Sequence, residues 1–340
     1  MSQTGPEGTN HSIAVSVIIP TWNRKDLLSE VLDSLAHQTY PIKNYEIIVC
    51  DDGSTDGTDE MVAGFRNRFS GTVVYHRMPH NCGPARCRNV AVGIARGDII
   101  AFTDSDCRVS PDWLSLGVKA FESELVAIVT GTILHKPEQQ VTYFSRSHDA
   151  VTQEHPSYPA QNAMFRKSVF LQFGGFEETL CFRNFRNRQV ECADTDLAWR
   201  IKEGGYETVF IKDMIVYHEI ELQTALNWVV EPFRLFVVPA LVKRHPGLRP
   251  RLLRWRIFMT ALNVPFYLLT AGVLAALIFR SPWFLLCSLP FFFYTARACR
   301  RRYSFSTAKT AGWLVLMTFR QACCCAGLVY GSIRFRELVL

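Results

Sequence analysis

Between residues 13 and 133, short apolar β-branched runs alternate with segments whose apolar residues recur at helical spacing. "IAVSVIIP" (13–20), "YEIIVC" (45–50), "TVVYHRM" (72–78), "DIIAFTD" (98–104) and "VAIVTGTI" (126–133) predict strands. Leu27, Leu28, Val31, Leu32 and Leu35 mark a first helix, and others are predicted around Asp59 to Phe69, from Pro84 to Ala95 and from Pro111. Strand, helix, strand repeated in this way predicts an α/β fold, a mostly parallel sheet with helices on both faces.

Such sheets bind ligands beyond the carboxyl ends of their strands. "PTWN" follows the first strand, "DDGSTDGT" the second and "DSD" the fourth, so three polar motifs share one edge. Asp51, Asp52, Asp104 and Asp106 are then neighbours in space, and four carboxylates there repel one another unless a cation or hydrogen-bond donors compensate. Mg²⁺ and Mn²⁺ take oxygen ligands, usually one or two carboxylates plus substrate phosphates, which points to a diphosphate. Just downstream, Ser110 and Pro111 predict a helix start, with Ser110 as N-cap and Pro111 at the first helical position. Two other readings fail: the calcium loop "DGSTDGTDEMVA" has Ala63 where a Glu is required, and "PTWNRKD" is no glycine-rich dinucleotide turn.

Charge divides the chain. From Lys243 to Leu340 there are 15 Lys and Arg against one acid, leaving 22 against 30 in the remainder. The basic part also holds the apolar runs 257–279, 282–298 and 311–333, of which the first is uncharged and long enough for a bilayer. Arginines before the first run and after the second predict a hairpin with both ends cytoplasmic. For the third run, a full crossing would put Arg334 and Arg336 outside and bury Arg320, so spanning and re-entrant paths both stay open. The expected organisation is a disordered N-terminus (1–12), a catalytic domain (13–220), an interfacial amphipathic and basic segment (221–256), a membrane region (257–333) and a tail (334–340). The polar N-terminus has no apolar core of a signal peptide, so the acidic domain is expected in the cytosol. Eleven cysteines without a CxxC pair fit free thiols in a reducing compartment. Cys323 to Cys325 read as small apolar packing, with palmitoylation the alternative.

Five motifs in order, "VSVIIPTWNR", "IIVCDDGSTDGT", "NCGPARCRNVAVGIARGDIIAFTDSD", "QNAMFRKSVFLQFGGFEE" and "ADTDLAWR", resemble the family 2 glycosyltransferases with a GT-A fold, over roughly Ala14 to His218. The resemblance implies that Pro20, Thr21 and Asn23 line the nucleotide pocket, with Asp52 on the base or ribose and Asp51 supporting it. Asp104-Ser105-Asp106 is the DxD equivalent, in which Asp106 ligates Mn²⁺ or Mg²⁺ and Asp104 contacts the ribose or a metal-bound water. Arg86 would face the donor phosphates, ahead of Arg88 and Asn89, and Asn162 and Ala163 would lie under the sugar. The Gly174-Gly175 pair reads as a tight turn. Where the family shows Glu-Asp-x-Asp, this chain has Ala193, Asp194, Thr195 and Asp196. Asp194 is the expected general base, since transfer to a hydroxyl needs a carboxylate to take its proton. Asp196 would orient the helix, His218 would bind metal or serve structure, and "CFRNFRNRQ" (181–189) would be a lid or a solvated loop.

The function implied is an inverting transfer from a nucleotide-diphosphate sugar to a hydroxyl of a membrane lipid or lipid-linked glycan acceptor. It would take place at the cytoplasmic side of the cell membrane, beside other glycan-assembly proteins and without nucleic acid. A polyprenyl-phosphate glycosyltransferase and a catalytically idle scaffold are the alternatives. A processive synthase is disfavoured because "LAWR" is not its QxxRW motif.

Overall fold

The computed structural model describes residues 13–141, 144–146, 150–183, 189–303 and 307–340. The chain divides into two compact units: residues through Gln139, His148–Cys181 and Ala193–Glu219 form the first, and Gln140–Ser147, Phe182–Cys192 and Ile220–Leu340 the second.

The first unit is built on an eight-stranded sheet. Its strands are β1 (Val15–Thr21), β2 (Tyr45–Asp51), β3 (Thr72–Arg77), β4 (Ile99–Phe102), β5 (Cys107–Val109), β6 (Val126–His135), β7 (Ala163–Arg166) and β8 (Glu207–His218). Their spatial order is β3-β2-β1-β4-β7-β6-β8-β5. Four neighbouring pairs are parallel (β2 with β3, β1 with β2, β1 with β4, β6 with β8). The other three are antiparallel (β4 with β7, β6 with β7, β8 with β5). β1 and β2 are buried at every position, as expected of parallel strands covered on both faces.

Helix α1 (Lys25–Ala36) buries Leu28, Val31, Leu32 and Leu35, the stripe its sequence predicts. It is followed by α2 (Thr58–Arg68), α3 (Pro84–Ile94) and α4 (Trp113–Lys119). The start of α4 corrects the expected cap: Asp112 precedes the helix, and the Ser110 hydroxyl accepts instead from the Ile215 N–H of β8 (3.3 Å). After α5 (Lys167–Gln172) the chain turns through Gly174 and Gly175, both at positive φ, the tight turn expected there. Beyond it, Phe176 joins Phe102, Phe165 and Phe170 in an aromatic cluster with centroids 5.2 to 6.4 Å apart. Helix α6 (Ala193–Glu203) leads into β8.

In the second unit, α7 (Ala225–Val230), a 3₁₀ stretch (Glu231–Val237) and α8 (Val238–Arg244) run on as 20 helical residues. Next come α9 (Arg249–Leu252), α10 (Asn263–Ile278), α11 (Leu289–Tyr303) and α12 (Thr307–Phe335). Among the described residues, Ala225–Arg244 and Gly312–Phe335 are the helices long and apolar enough to cross a membrane. Of the two runs of the expected hairpin, the first yields a 16-residue helix, short of the roughly 20 residues of a perpendicular crossing, and the second begins as a 3₁₀ stretch over Pro282–Ser288. Their outer surface is apolar, with Leu277, Ile278 and Trp283 71 to 76 % exposed.

Gly131 lies where β6 meets the irregular middle of β8. A Cβ there would stand 2.1 Å from the Met214 carbonyl oxygen and 2.9 Å from the Asn162 amide, and the register shift between Ile211 and Ile215 occurs in the same place. Gly131→Ala should destabilise the first unit by about 1–3 kcal/mol, because backbone has to move. A thermal midpoint unchanged within a degree would refute that packing.

Candidate active site

The site grows from a three-residue strand. β5 runs antiparallel to the end of β8, pairing Cys107 with His218 and Val109 with Val216. Asp106, one residue before β5, therefore lies beside His218, and its backbone carbonyl accepts from the Glu219 N–H (3.0 Å). One carboxylate oxygen of Asp106 is 3.5 Å from His218 Nε2, and the other accepts from Arg24 Nη1 at 2.5 Å. His218 Nδ1 lies 2.7 Å from the Glu219 carbonyl oxygen. A carbonyl only accepts, so Nδ1 carries a proton, and Nε2 is the ring nitrogen on the Asp106 side. Carboxylate oxygen and imidazole nitrogen, the latter steered by a carbonyl on its far side, form a donor set that fits a divalent cation. Cys107 Sγ completes a group whose ligand atoms lie within 4.8 Å of one another. Burial, with Asp106 and Asp104 adding to it, pushes that thiol well above its ordinary pKa.

Asp104 accepts from the buried Arg88 guanidinium at 2.6 Å. Burial acts to raise its pKa, but Arg88, helped by His218 and Arg24, holds the carboxyl below the usual value. Arg88 itself rests over the Phe176 ring (5.7 Å), and Phe176 is clasped by Asn89, which donates to its carbonyl (2.8 Å) and accepts from its N–H (2.9 Å). Arg86, the arginine expected at the phosphates, is exposed and reaches Glu178 at 3.3 Å. The structure thus brings Arg88, rather than Arg86, to the DxD acids.

β1 stands between β2 and β4, so Asp51 and Asp104 lie on one edge, two strands apart. Asp51 accepts from the Ser54 N–H (2.9 Å) and the Tyr75 hydroxyl (2.5 Å), with Arg77 3.7 Å away. Asp52 accepts from the N–H groups of Cys82 (2.7 Å) and Gly83 (2.8 Å), which fixes the loop ahead of α3 and puts its charge at that helix's N-terminus. Each acid on this edge is therefore met by the protein's own donors. Pro20 and Thr21 close β1 and are buried. Thr21 Oγ1 and, after β4, Thr103 Oγ1 are buried without a hydrogen-bond partner among the described residues, which leaves two hydroxyls able to take a ligand's polar atoms or water. Asn23, at φ 50°, accepts from the Thr55 N–H (2.7 Å) and donates its own N–H to Ser54 (2.8 Å), joining the first two motifs.

Asn162 is 1 % exposed. Its amide donates to the carbonyls of Thr132 (2.9 Å) and Met214 (3.0 Å) and accepts from the Trp113 indole (2.9 Å), a clamp between β6, β8 and α4. Asp194 is half-buried in the first turn of α6, accepting from the N–H groups of Thr195 (2.8 Å) and Ala160 (3.4 Å). Asp196 is fully buried against Arg200 (2.8 Å), which donates onward to the Gly175 carbonyl (2.7 Å) and so holds α6 to the glycine turn. Residues 184–188 of the expected lid lie outside the described residues.

Sequence reasoning gave no role to Arg24, Glu219 or Lys136. Lys136 follows β6 with its side chain 2 % exposed, and its ammonium lies 2.6 Å from Glu30 and 2.8 Å from Glu219. Burial works against its charge, yet the two carboxylates raise its pKa above the ordinary value. A basic residue at the end of an apolar strand was the only local signal, and its partners are far away in sequence.

Because the Asp104 pKa is depressed in the folded protein, the stability it contributes is present above the unfolded value near 3.9 and fades as pH falls through and below it. Arg88→Met should lower the thermal midpoint more at pH 7 than at pH 3.5, the remainder reflecting lost contact with Phe176. An equal loss at both values would show that Arg88 acts by packing alone.

A family model, glycosyl transferase family 2, matches residues 16–177. The poly(ribitol-phosphate) beta-glucosyltransferase of Bacillus spizizenii is 44 % identical over 92 residues, 27 % of this chain and 14 % of that one. The glucosyl-dolichyl phosphate glucuronosyltransferase of Haloferax volcanii is 27 % identical over 239 residues, 65 % of this chain and 74 % of that one. Several curated relatives are spanned over only 14 to 66 % of their length. Among solved structures, the mannosyltransferase PcManGT of Pyrobaculum calidifontis, in complex with GDP-Man and Mn²⁺, aligns over 98 % of this chain and 89 % of its own, with a TM-score of 0.58 and 20 % identity. That likeness is one of fold.

Proposed function

Because the chain belongs, through residues 16–177, to glycosyl transferase family 2, we propose that it is an inverting glycosyltransferase. It moves a sugar from a nucleoside-diphosphate donor to a hydroxyl of a membrane-associated, lipid-linked glycan. The observation that carries this reading is the approach of the Asp106 carboxylate to His218 Nε2, on the strand edge that also holds Asp104 with Arg88 and the first-strand loop.

In this reading Asp106 and His218 hold Mn²⁺ or Mg²⁺. A bound divalent ion offsets the charge that develops on the departing nucleoside diphosphate. Pro20, Thr21, Asn23, Asp51 and Asp52 shape the nucleotide pocket, and Arg24 and Arg88 bring guanidinium groups to the donor side. Asp194 takes the proton of the acceptor hydroxyl as its oxygen bonds to the anomeric carbon from the face opposite the diphosphate. The carbon–oxygen bond to the diphosphate breaks, and the configuration inverts.

Two features of the chain support a lipid-linked acceptor: the two helices long enough to cross a membrane and the apolar surface around Leu277 and Trp283. The Haloferax relative, whose name gives glucosyl-dolichyl phosphate as its acceptor, favours the same class. The arginines flanking the apolar runs support a catalytic unit on the cytoplasmic side.

A thermal-shift panel of nucleotide sugars, with and without Mn²⁺, should single out one donor, since a ligand that binds only the native state raises its midpoint. Asp106→Ala should then lower metal-dependent turnover at least about 100-fold, and full turnover would sink the metal assignment. Asp194→Asn should lose about 10²–10⁴-fold in turnover with donor binding intact. If transfer onto a polyprenyl phosphate survives that change undiminished, the hydroxyl acceptor is wrong.

A further inference from the structure

The buried ammonium of Lys136 has a position that the reaction scheme does not use. It bridges Glu30 of α1 and Glu219, and Glu219 is the residue that touches both candidate ligands through its backbone. The Glu219 N–H donates to the Asp106 carbonyl (3.0 Å), and its carbonyl receives His218 Nδ1 (2.7 Å). The Glu219 side chain is held by Lys136 and by the Gln139 amide. The Lys136 N–H donates to the His218 carbonyl (3.3 Å), so the lysine grips the 218–219 segment from both main chain and side chain.

An ammonium taken out of water is retained only where carboxylates repay its lost hydration, and removing one partner leaves the other charges uncompensated. Without Lys136, Glu30 and Glu219 would face each other with Asp106 close by, and Glu219 would swing outward with the carbonyl that sets the imidazole. We propose that Lys136 is a positioning residue for the metal site: through Glu219 it fixes the ring orientation and tautomer of His218, so that Nε2 stands beside Asp106. This rests on the reading that Asp106 and His218 hold the divalent ion, and it gives the residue that follows β6 a part in supporting them.

The test is Mn²⁺ binding to the full chain in detergent, read from the spin-resonance signal of free aqueous Mn²⁺, with no donor and no turnover involved. Asp106→Ala and His218→Ala should each weaken binding, and if both bind as the wild type does, the metal reading itself fails. Lys136→Met should weaken Mn²⁺ affinity about 10–100-fold, the usual cost of losing an outer support of a ligand. Lys136→Arg, which keeps the charge, should restore most of it. On the His218→Ala background Lys136→Met should cause no further loss, because both changes remove the same interaction. Wild-type affinity in Lys136→Met beside a weakened His218→Ala overturns the positioning role while sparing the metal reading. An additive loss in the double variant overturns it too, as it would mark general destabilisation. Should Lys136→Met fail to fold, Glu219→Gln carries the same expectation, and unchanged affinity there overturns the proposal.

Discussion

The pairing of Cys107–Val109 with Val216–His218 is the contact on which the candidate site depends. Three residues make a weak strand by themselves, and this one holds because Cys107 and Val109 are buried in the same core as Met214 and Val216. Register matters more here than pairing strength. A slip of one residue would exchange the faces of β8 and turn His218 away from Asp106. The bulge between Ile211 and Ile215, the Ser110 hydroxyl on the Ile215 N–H and the Asn162 clamp on Met214 all pin β8 close to that point. Fully buried Asn162, which in sequence looked like a sugar contact, supplies this fixation.

The parallel part of the sheet was legible because β1, β2 and β4 are mostly apolar, β-branched runs that lead into Thr or Asp, and period and composition agree. The antiparallel part was not. "AMFR" is four residues long, "CRV" three, and β8 carries Glu207, Lys212 and Asp213 among its apolar residues. No local pattern distinguishes these from loops, and their strand character comes from the neighbours they pair with. The same limit applies within the site. Asp104 and Asp106 could be read from the sequence because they sit together at a strand end, whereas the cations that meet them, Arg88 and Arg24, arrive from 16 and 82 residues away. Arg86 and Arg88 are equivalent in sequence, and only the turn of α3 decides which one meets an acid.

Hydropathy was a partial guide to the second unit. The run 257–279 has the composition of a crossing, yet helix starts only at Asn263, two residues before Pro265, where a missing N–H costs nothing. Arg320 looked like the obstacle to a crossing by the last helix. Within the unit it is answered by Glu231 (3.4 Å) and by the Trp228 ring (4.3 Å), so the one charge in the middle of α12 meets the acid of the Ala225–Arg244 helix. The two helices also meet at Gly327 and Gly331, where a Cβ would lie 2.6 and 2.1 Å from the carbonyls of Phe233 and Phe236. Small residues four apart let backbones approach closely, a packing that serves where lipid removes the hydrophobic drive between helices.

The acids of the strand edge illustrate how a site built from repelling charges stays folded. The sequence implied that a cation or hydrogen-bond donors were needed to hold Asp51, Asp52, Asp104 and Asp106 together. The structure meets each of them separately, through Tyr75 and Arg77, two backbone N–H groups, Arg88, and Arg24. Asp52 is met by main-chain donors and Asp104 by a nearly buried guanidinium, whereas Arg77 beside Asp51 is 44 % exposed. Arg24, its side chain 45 % exposed, meets Asp106 from the loop beyond β1. On the proposed reading, a divalent ion taking Asp106 exchanges one cation for another rather than filling a bare carboxylate.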